Sequence, residues 1–202
     1  MDRRIDSNDL NELAPSGYHI ALRVGFAFPM EEENTFPSAW IEHYSQQHFV
    51  LFDPVMHWMF QNQGYARWSE IDIPDPRRVL FQAQSFGLKH GVMVSYLTDE
   101  PQTLRSFGSF TRSDRPFDEI EMQLLFAFVK RRHLETAPPS NLTNAELEVL
   151  RMIKDGRRLK EIAHVLGVSE GAIKQRLKNA KRKLDAKTGP QAAALANQYG
   201  II

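Results

Sequence analysis

The chain has 202 residues, 42% of them hydrophobic, with 25 Lys and Arg balanced by 25 Asp and Glu and no cysteine at all. The missing cysteine removes disulfides, thiolate catalysis and cysteine-ligated metals; no apolar run reaches membrane-spanning length and the N-terminus has no secretory pattern, so a cytoplasmic protein is expected. The even charge total conceals a split: residues 142–202 hold 12 Lys and Arg against 6 Asp and Glu, leaving 13 against 19 for residues 1–141. A basic C-terminal part and an acidic N-terminal part point to two domains, the second suited to a polyanion.

In chain order, a short polar helix is expected first, then a strand over residues 17–28, GYHIALRVGFAF, from its alternation. Residues 39–48 have helical character, with Trp40, Ile41 and Tyr44 on related faces. Asp53 and Pro54 read as the N-cap and first position of a helix over residues 54–61, and residues 76–89 read as another helix. Residues 91–96 and 106–111 read as two strands of a hairpin around a polar loop, 98–103. Residues 118–134 read as a long amphipathic helix with Ile120, Leu124, Leu125, Phe128 and Val129 inward. Such a mixture of helices and strands predicts an α+β N-terminal domain over residues 1–135. The polar, proline-bearing stretch 136–141 reads as a linker, because two prolines stop a helix from continuing.

The remaining segment, 142–202, carries a helix-turn-helix pattern. Thr143 and Glu146 form a capping box, in which hydroxyl and carboxylate each satisfy an orphaned N–H at a helix start. Leu147, Val149, Leu150 and Ile153 recur at helical spacing, and Gly156 sits where a left-handed C-terminal cap is expected. A second helix, Leu159–Leu166, buries Leu159, Ile162, Ala163 and Leu166. Gly167 allows a tight turn, Val168 plugs the angle between helices, and Ser169 caps the third helix. On that helix Ala172, Ile173, Leu177, Ala180 and Leu184 face inward. Lys174, Gln175, Arg176, Lys178, Asn179, Lys181, Arg182 and Lys183 cover its other faces. Cationic side chains neutralise phosphates, whereas Gln175 and Asn179 can pair with a base edge. A basic helix alone is usually just a solvated face, but the preceding helix, the caps and the glycine turn around it favour DNA as partner.

Between residues 36 and 68 the chain gathers Phe36, Trp40, Tyr44, Phe49, Phe52, Asp53, Trp58, Tyr65 and Trp68. An aromatic cluster is most often plain core, and an acid before proline is most often a cap. His43, His48 and His57 do not share a helical face, so core or surface histidines are expected rather than a metal site. No nucleophile elbow, zinc-protease, P-loop or dinucleotide fingerprint occurs, so neither an enzyme nor a cofactor is expected.

The stretch LTNAELEVLRMIKDGRRLKEIAHVLGVSEGAIKQRLKNAKRKLDAKTGPQAAALANQYGII resembles the C-terminal domain of LuxR-type transcription regulators, an all-α four-helix unit. Glu146, Leu150 and Gly156 stand at the family's hallmark positions. The third helix departs from it: the family usually reads T-V-K-x-H where this chain has Ala172, Ile173, Lys174, Gln175 and Arg176. Further back, Trp40-x3-Tyr44, Asp53-Pro54-Val55 and Trp68-Ser69 are similar to the autoinducer-binding domain of LuxR-type quorum-sensing regulators. That resemblance implies an α/β/α sandwich around an antiparallel sheet, holding an N-acyl homoserine lactone or related acylated signal. It assigns Trp40 as donor to the lactone carbonyl, Asp53 as acceptor from the amide N–H, Tyr44 to the acyl chain, Trp68 to the ring and Ser109 to the acyl carbonyl. Gly91 and Gly108 become close-approach positions on the sheet. Phe36 stands where the family often has tyrosine, Ser95 where it commonly has proline, and members generally carry one more helix before the segment matching Asp9 to Gly17. The implied protein is a homodimeric regulator reading a palindromic site. Two other readings are set beside it: a response regulator, whose receiver needs paired early acids, a phosphoacceptor aspartate and a lysine that the N-terminal 135 residues lack, and a ligand-independent regulator whose first domain serves dimerisation or protein interaction.

Overall fold

The computed structural model describes residues 5, 7–24, 29–98 and 104–202. It divides into two compact units, Met1–Thr136 and Ala137–Ile202.

The first unit is built on a five-stranded antiparallel sheet of β1 (Gly17–Val24), β2 (Glu31–Asn34), β3 (Gly64–Arg67), β4 (His90–Leu97) and β5 (Arg105–Arg112), in the order β2-β1-β5-β4-β3. Around it lie α1 (Ser7–Leu13), α2 (Ser38–Gln46), α3 (Pro54–Gln61), α4 (Val79–Gln84) and α5 (Glu119–Glu135). Strand alternation sorts the side chains to two faces. Tyr18, Ile20, Leu22, Val92, Val94 and Phe110 pack with Met122, Leu125, Phe128 and Val129 of α5. On the opposite face Ala21, Met93 and Phe107 meet Val55 and Met59 of α3, and Trp40, Phe49, Val79, Ala83 and Leu88 form a further cluster on the α2 and α4 side. With helices on both faces, the unit is the α/β/α sandwich expected.

Several local readings are refined. The strand expected over 17–28 is seen as Gly17–Val24, with a register shift between Ala21 and Val24 where Arg23 takes φ 49°; residues 25–28, like 99–103 of the expected polar loop, lie outside the described residues. The helix expected over 76–89 shrinks to Val79–Gln84. Its start is set by the Asp75 carboxylate, which accepts from Val79 N (2.7 Å) and Leu80 N (3.0 Å). Its end is set by a turn through Gly87 at φ 86°.

Ile120, expected inward on α5, is 70% exposed. Asp118 and Glu121 form a reciprocal capping box, and the Glu121 carboxylate also turns inward to receive Arg112 (2.9 Å) and Arg115 (2.7 Å). With Glu121 and Met122 committed to the buried side, the helical step carries Ile120 outward.

The second unit contains α6 (Asn144–Lys154), α7 (Leu159–Val165), α8 (Glu170–Lys183) and α9 (Gly189–Gln198). Thr143 Oγ1 accepts from Glu146 N and Glu146 accepts from Thr143 N, which is the predicted capping box. Gly156 and Gly167 take positive φ (79° and 64°), and Ser169 caps α8 through Ala172 N. Val149, Ile162, Ala163 and Ile173 bury together at the α6, α7 and α8 contact, while Leu150, Ala180 and Leu184 pack on Ala192, Ala193 and Ala196 of α9.

Candidate ligand cavity and nucleic-acid interface

A cavity of about 350 Å³ opens in the first unit on the α3 face of the sheet. Its walls include all six residues singled out from sequence: Phe36, Trp40, Tyr44, Asp53, Trp68 and Ser109. Apolar side chains, among them Val55, Met59, Val79 and Leu80, supply much of the rest. This volume is near the lower end of the range usual for small-molecule sites.

Each polar position is held by local structure. Asp53 is the N-cap of α3: Oδ1 accepts from Val55 N at 2.8 Å and Oδ2 from the Tyr44 hydroxyl at 2.8 Å. Tyr44 therefore does more than line an apolar chain; it anchors the carboxylate from α2. Burial raises the Asp53 carboxyl above the usual carboxylate range, Asp75 adds to the effect, and the bonds from Tyr44 and Val55 oppose it. The Tyr44 hydroxyl is likewise pushed up, first by burial and then by Asp53. Two acceptors' worth of lone pairs remain on the carboxylate for a donor inside the cavity.

Trp40 is 5% exposed, with its ring edge-on to Tyr44 (centroids 5.5 Å apart) and tilted against Phe86 (5.4 Å). Trp68 lies flat on β4 because Gly91 has no side chain there: a Cβ at Gly91 would sit 2.1 Å from Trp68 Cδ2. Gly108 is equally tight on the other face, its Cβ falling 2.6 Å from Phe110 Cε2. Both glycines thus occupy close-approach positions. Trp68 Nε1 and Ser109 Oγ are buried without a hydrogen-bond partner. Leaving such groups unpaired costs about 1–3 kcal/mol each.

Ser95, at the position where proline was expected by resemblance, ties the sheet to α3. Its hydroxyl donates to the Met59 carbonyl (2.7 Å) and accepts from Arg105 (2.6 Å), whose guanidinium also reaches Met59 O (3.0 Å). The last turn of the helix that Asp53 opens is therefore fixed from below. His19 and Asn34 also line the cavity and were not anticipated. The signal was available in β1, where His19 occupies the alternate parity to Tyr18 and Ile20.

His43 Nε2 bonds Gln82 Oε1 at 2.8 Å and its ring stacks on Phe86. Among the described residues no group of three His, Cys, Asp or Glu could hold a metal, and no helix is long and apolar enough to cross a membrane.

In the second unit Lys174, Gln175, Lys178 and Arg182 are exposed along α8, with Arg176, Asn179 and Lys181 half-buried at its flanks. Gln175 Nε2 donates to Asn179 Oδ1 (3.1 Å), so the two amides are presented together. Lys174 pairs with Glu170 one turn earlier (2.8 Å). Lys183 belongs to the interior instead: its ammonium bonds the Glu146 carboxylate (2.7 Å) and the Asn141 carbonyl (2.7 Å). Burial works to raise the Glu146 carboxyl, but the bonds from Lys183 and Thr143 outweigh it and hold the group below its ordinary value.

A cavity-bearing α/β/α domain followed by a basic helix-turn-helix unit is the architecture of a regulator that couples a small molecule to DNA. Residues 32–134 match the family described as the autoinducer binding domain, and residues 140–196 match the bacterial regulatory proteins of the luxR family. The chain belongs to the LuxR family of DNA-binding transcription regulators with an autoinducer-binding domain. It is 28% identical over 180 residues to the regulatory protein SdiA of Escherichia coli strain K12, covering 83% of this chain and 74% of that protein. It is also 28% identical over 199 residues to the quorum-sensing regulator RhlR of Pseudomonas aeruginosa, covering 92% and 82%. The crystal structure of E. coli SdiA superposes with a TM-score of 0.52 at 25% identity over 98% of this chain and 93% of that one.

Proposed function

We propose that residues 1–135 form a sensing domain that binds an N-acyl homoserine lactone or related acylated signal in the cytoplasm, and that residues 142–202, joined through 136–141, bind promoter DNA as a homodimer. The observation that carries this reading is the cavity itself, lined among apolar side chains by Asp53 and by Trp68 and Ser109, each of which holds a buried polar atom without a partner. A polar head with an amide N–H and carbonyls, attached to an acyl chain, satisfies both kinds of wall. Trp40 would donate to the lactone carbonyl, Asp53 would accept the amide proton, Ser109 would meet the acyl carbonyl, Trp68 would pack on the ring, and Phe36 and Tyr44 would border the chain. One relative structure is described as SdiA in complex with octanoyl-rac-glycerol, an acylated small molecule in a protein of this fold.

Ligand binding to the folded domain alone raises its stability by mass action and so raises the amount of dimer available for DNA. On α8, Lys174, Arg176, Lys178, Lys181 and Arg182 would neutralise phosphates, and Gln175 with Asn179 would read base edges. Thermal unfolding with a panel of acyl homoserine lactones tests the sensing step. At least one member is expected to raise the midpoint of the first unit; no shift with any member contradicts it.

A further inference from the structure

The floor of the cavity is not uniformly apolar. Asn34, His19, Ser109 and Met93 lie side by side across β2, β1, β5 and β4, because His19 pairs in register with both Asn34 and Ser109 and Ser109 pairs with Met93. Asn34, His19 and Ser109 all line the cavity. With strands about 4.8 Å apart, these three make a polar strip about 10 Å long beneath the space assigned to the acyl group.

The chemistry of the strip is set by its neighbours. His19 Nε2 lies 2.8 Å from Glu32 Oε1, and a carboxylate only accepts, so Nε2 carries a proton; on a ring with that one proton, Nδ1 is an acceptor. Asn34 Oδ1 accepts from Phe36 N at 3.1 Å, which leaves its NH2 as donor. Ser109 Oγ is buried and unpaired. A plain alkyl chain would cover this strip and pair none of it. A ketone would accept from Asn34 but offers nothing to a His19 ring whose one proton is held by Glu32.

We infer that the acyl group of the signal carries a hydroxyl near its carbonyl end, read by His19 together with Asn34, so that His19 is a specificity-determining residue. The inference rests on the sensing reading above and deepens it. A hydroxyl accepts from the Asn34 NH2 and donates to His19 Nδ1 across one strand spacing, which leaves the single Ser109 proton to the acyl carbonyl.

Calorimetric titration of the full chain with N-octanoyl, N-(3-oxooctanoyl) and N-(3-hydroxyoctanoyl) homoserine lactone tests it, on the parent and on His19→Leu. The parent is expected to bind the hydroxy compound about tenfold more tightly than the unsubstituted one, with the oxo compound between them. In His19→Leu the preference should fall to within about twofold, with octanoyl affinity retained as the sign of an intact cavity. If that variant fails to fold, the ranking on the parent decides alone. Equal binding of hydroxy and unsubstituted compounds, or tighter binding of the oxo compound, overturns the inference while leaving the sensing reading standing. Binding of none of the three overturns both.

Discussion

Tyr44 donates its hydroxyl to Asp53 Oδ2 at 2.8 Å, joining α2 to the N-cap of α3 through the carboxylate that also holds Val55 N. One acid thus starts a helix, fixes a second helix and faces the cavity.

Tyr44→Phe removes one of the donors that counter the burial of Asp53. The first unit is expected to lose about 1–3 kcal/mol, the cost of an under-satisfied buried acceptor. The Asp53 carboxyl should rise further, since the Tyr44 bond lowers it. A group whose folded value lies above its unfolded one binds more protons when folded, so stability falls as pH rises through that window. Chemical denaturation of parent and variant across the acidic range should therefore show the steeper loss on raising pH in the variant.

Gly91→Ala places a methyl inside the Trp68 ring volume. Overpacking of this kind costs about 1–3 kcal/mol, and displacement of Trp68 should remove any ligand-induced thermal shift. Gly171→Ala is the contrasting case. Its Cβ would meet only Ser169 Oγ at 3.8 Å, so removing a helical glycine should stabilise the second unit by about 1 kcal/mol in denaturant titration.

Ser109→Ala tests the unpaired hydroxyl on the cavity floor. Because Ser109 Oγ has no partner within the protein, its removal should leave the ligand-free midpoint unchanged or higher while shrinking the shift produced by an acyl homoserine lactone. A loss of about 1 kcal/mol without ligand, together with a full ligand shift, would show the hydroxyl to be internal scaffolding.

Two lysines on α8 should behave differently. Lys178→Ala is expected to weaken binding to specific and random duplex alike and to reduce the salt slope by about 0.9, one phosphate's worth of counterion release, with little change in stability. Lys183→Ala strips the partner from Glu146, which is 4% exposed, and should cost the second unit about 1–3 kcal/mol. Glu146 sits below its unfolded value, so it stabilises at neutral pH and that contribution fades as pH falls through the folded value. The variant should lose part of this acid sensitivity.

What was legible in the sequence follows from how local the signal is. The cap at Asp53-Pro54, the capping box at Thr143 and Glu146, and the glycine turn at Gly167 are short-range devices, and each stands where expected. β2 was missed because Glu31-Glu32-Glu33-Asn34 has no apolar residue to alternate; it is a charged edge strand whose glutamates find Arg132, His19 and Tyr18 across the surface. β3 is four half-buried residues, Gly64–Arg67, too short to show a period. The Ser95 and Arg105 bonds to α3, the flat seat of Trp68 on Gly91 and the ion pair of Lys183 with Glu146 join residues distant in sequence. Nothing in their own neighbourhoods announces them: Lys183 reads like any lysine of a basic helix until α6 is packed beside it.

Ligand sensing is tested most directly by isothermal calorimetry of an acyl homoserine lactone panel against the parent and Asp53→Asn at several temperatures. Asparagine still caps α3 but replaces the charged acceptor. The account predicts saturable binding to the parent with a negative heat-capacity change from apolar burial, and a loss of about 1.5–3 kcal/mol of affinity in the variant with its fold intact. Equal affinity in both proteins would remove Asp53 from the site, and no binding to the parent by any lactone would contradict the assignment of the cavity.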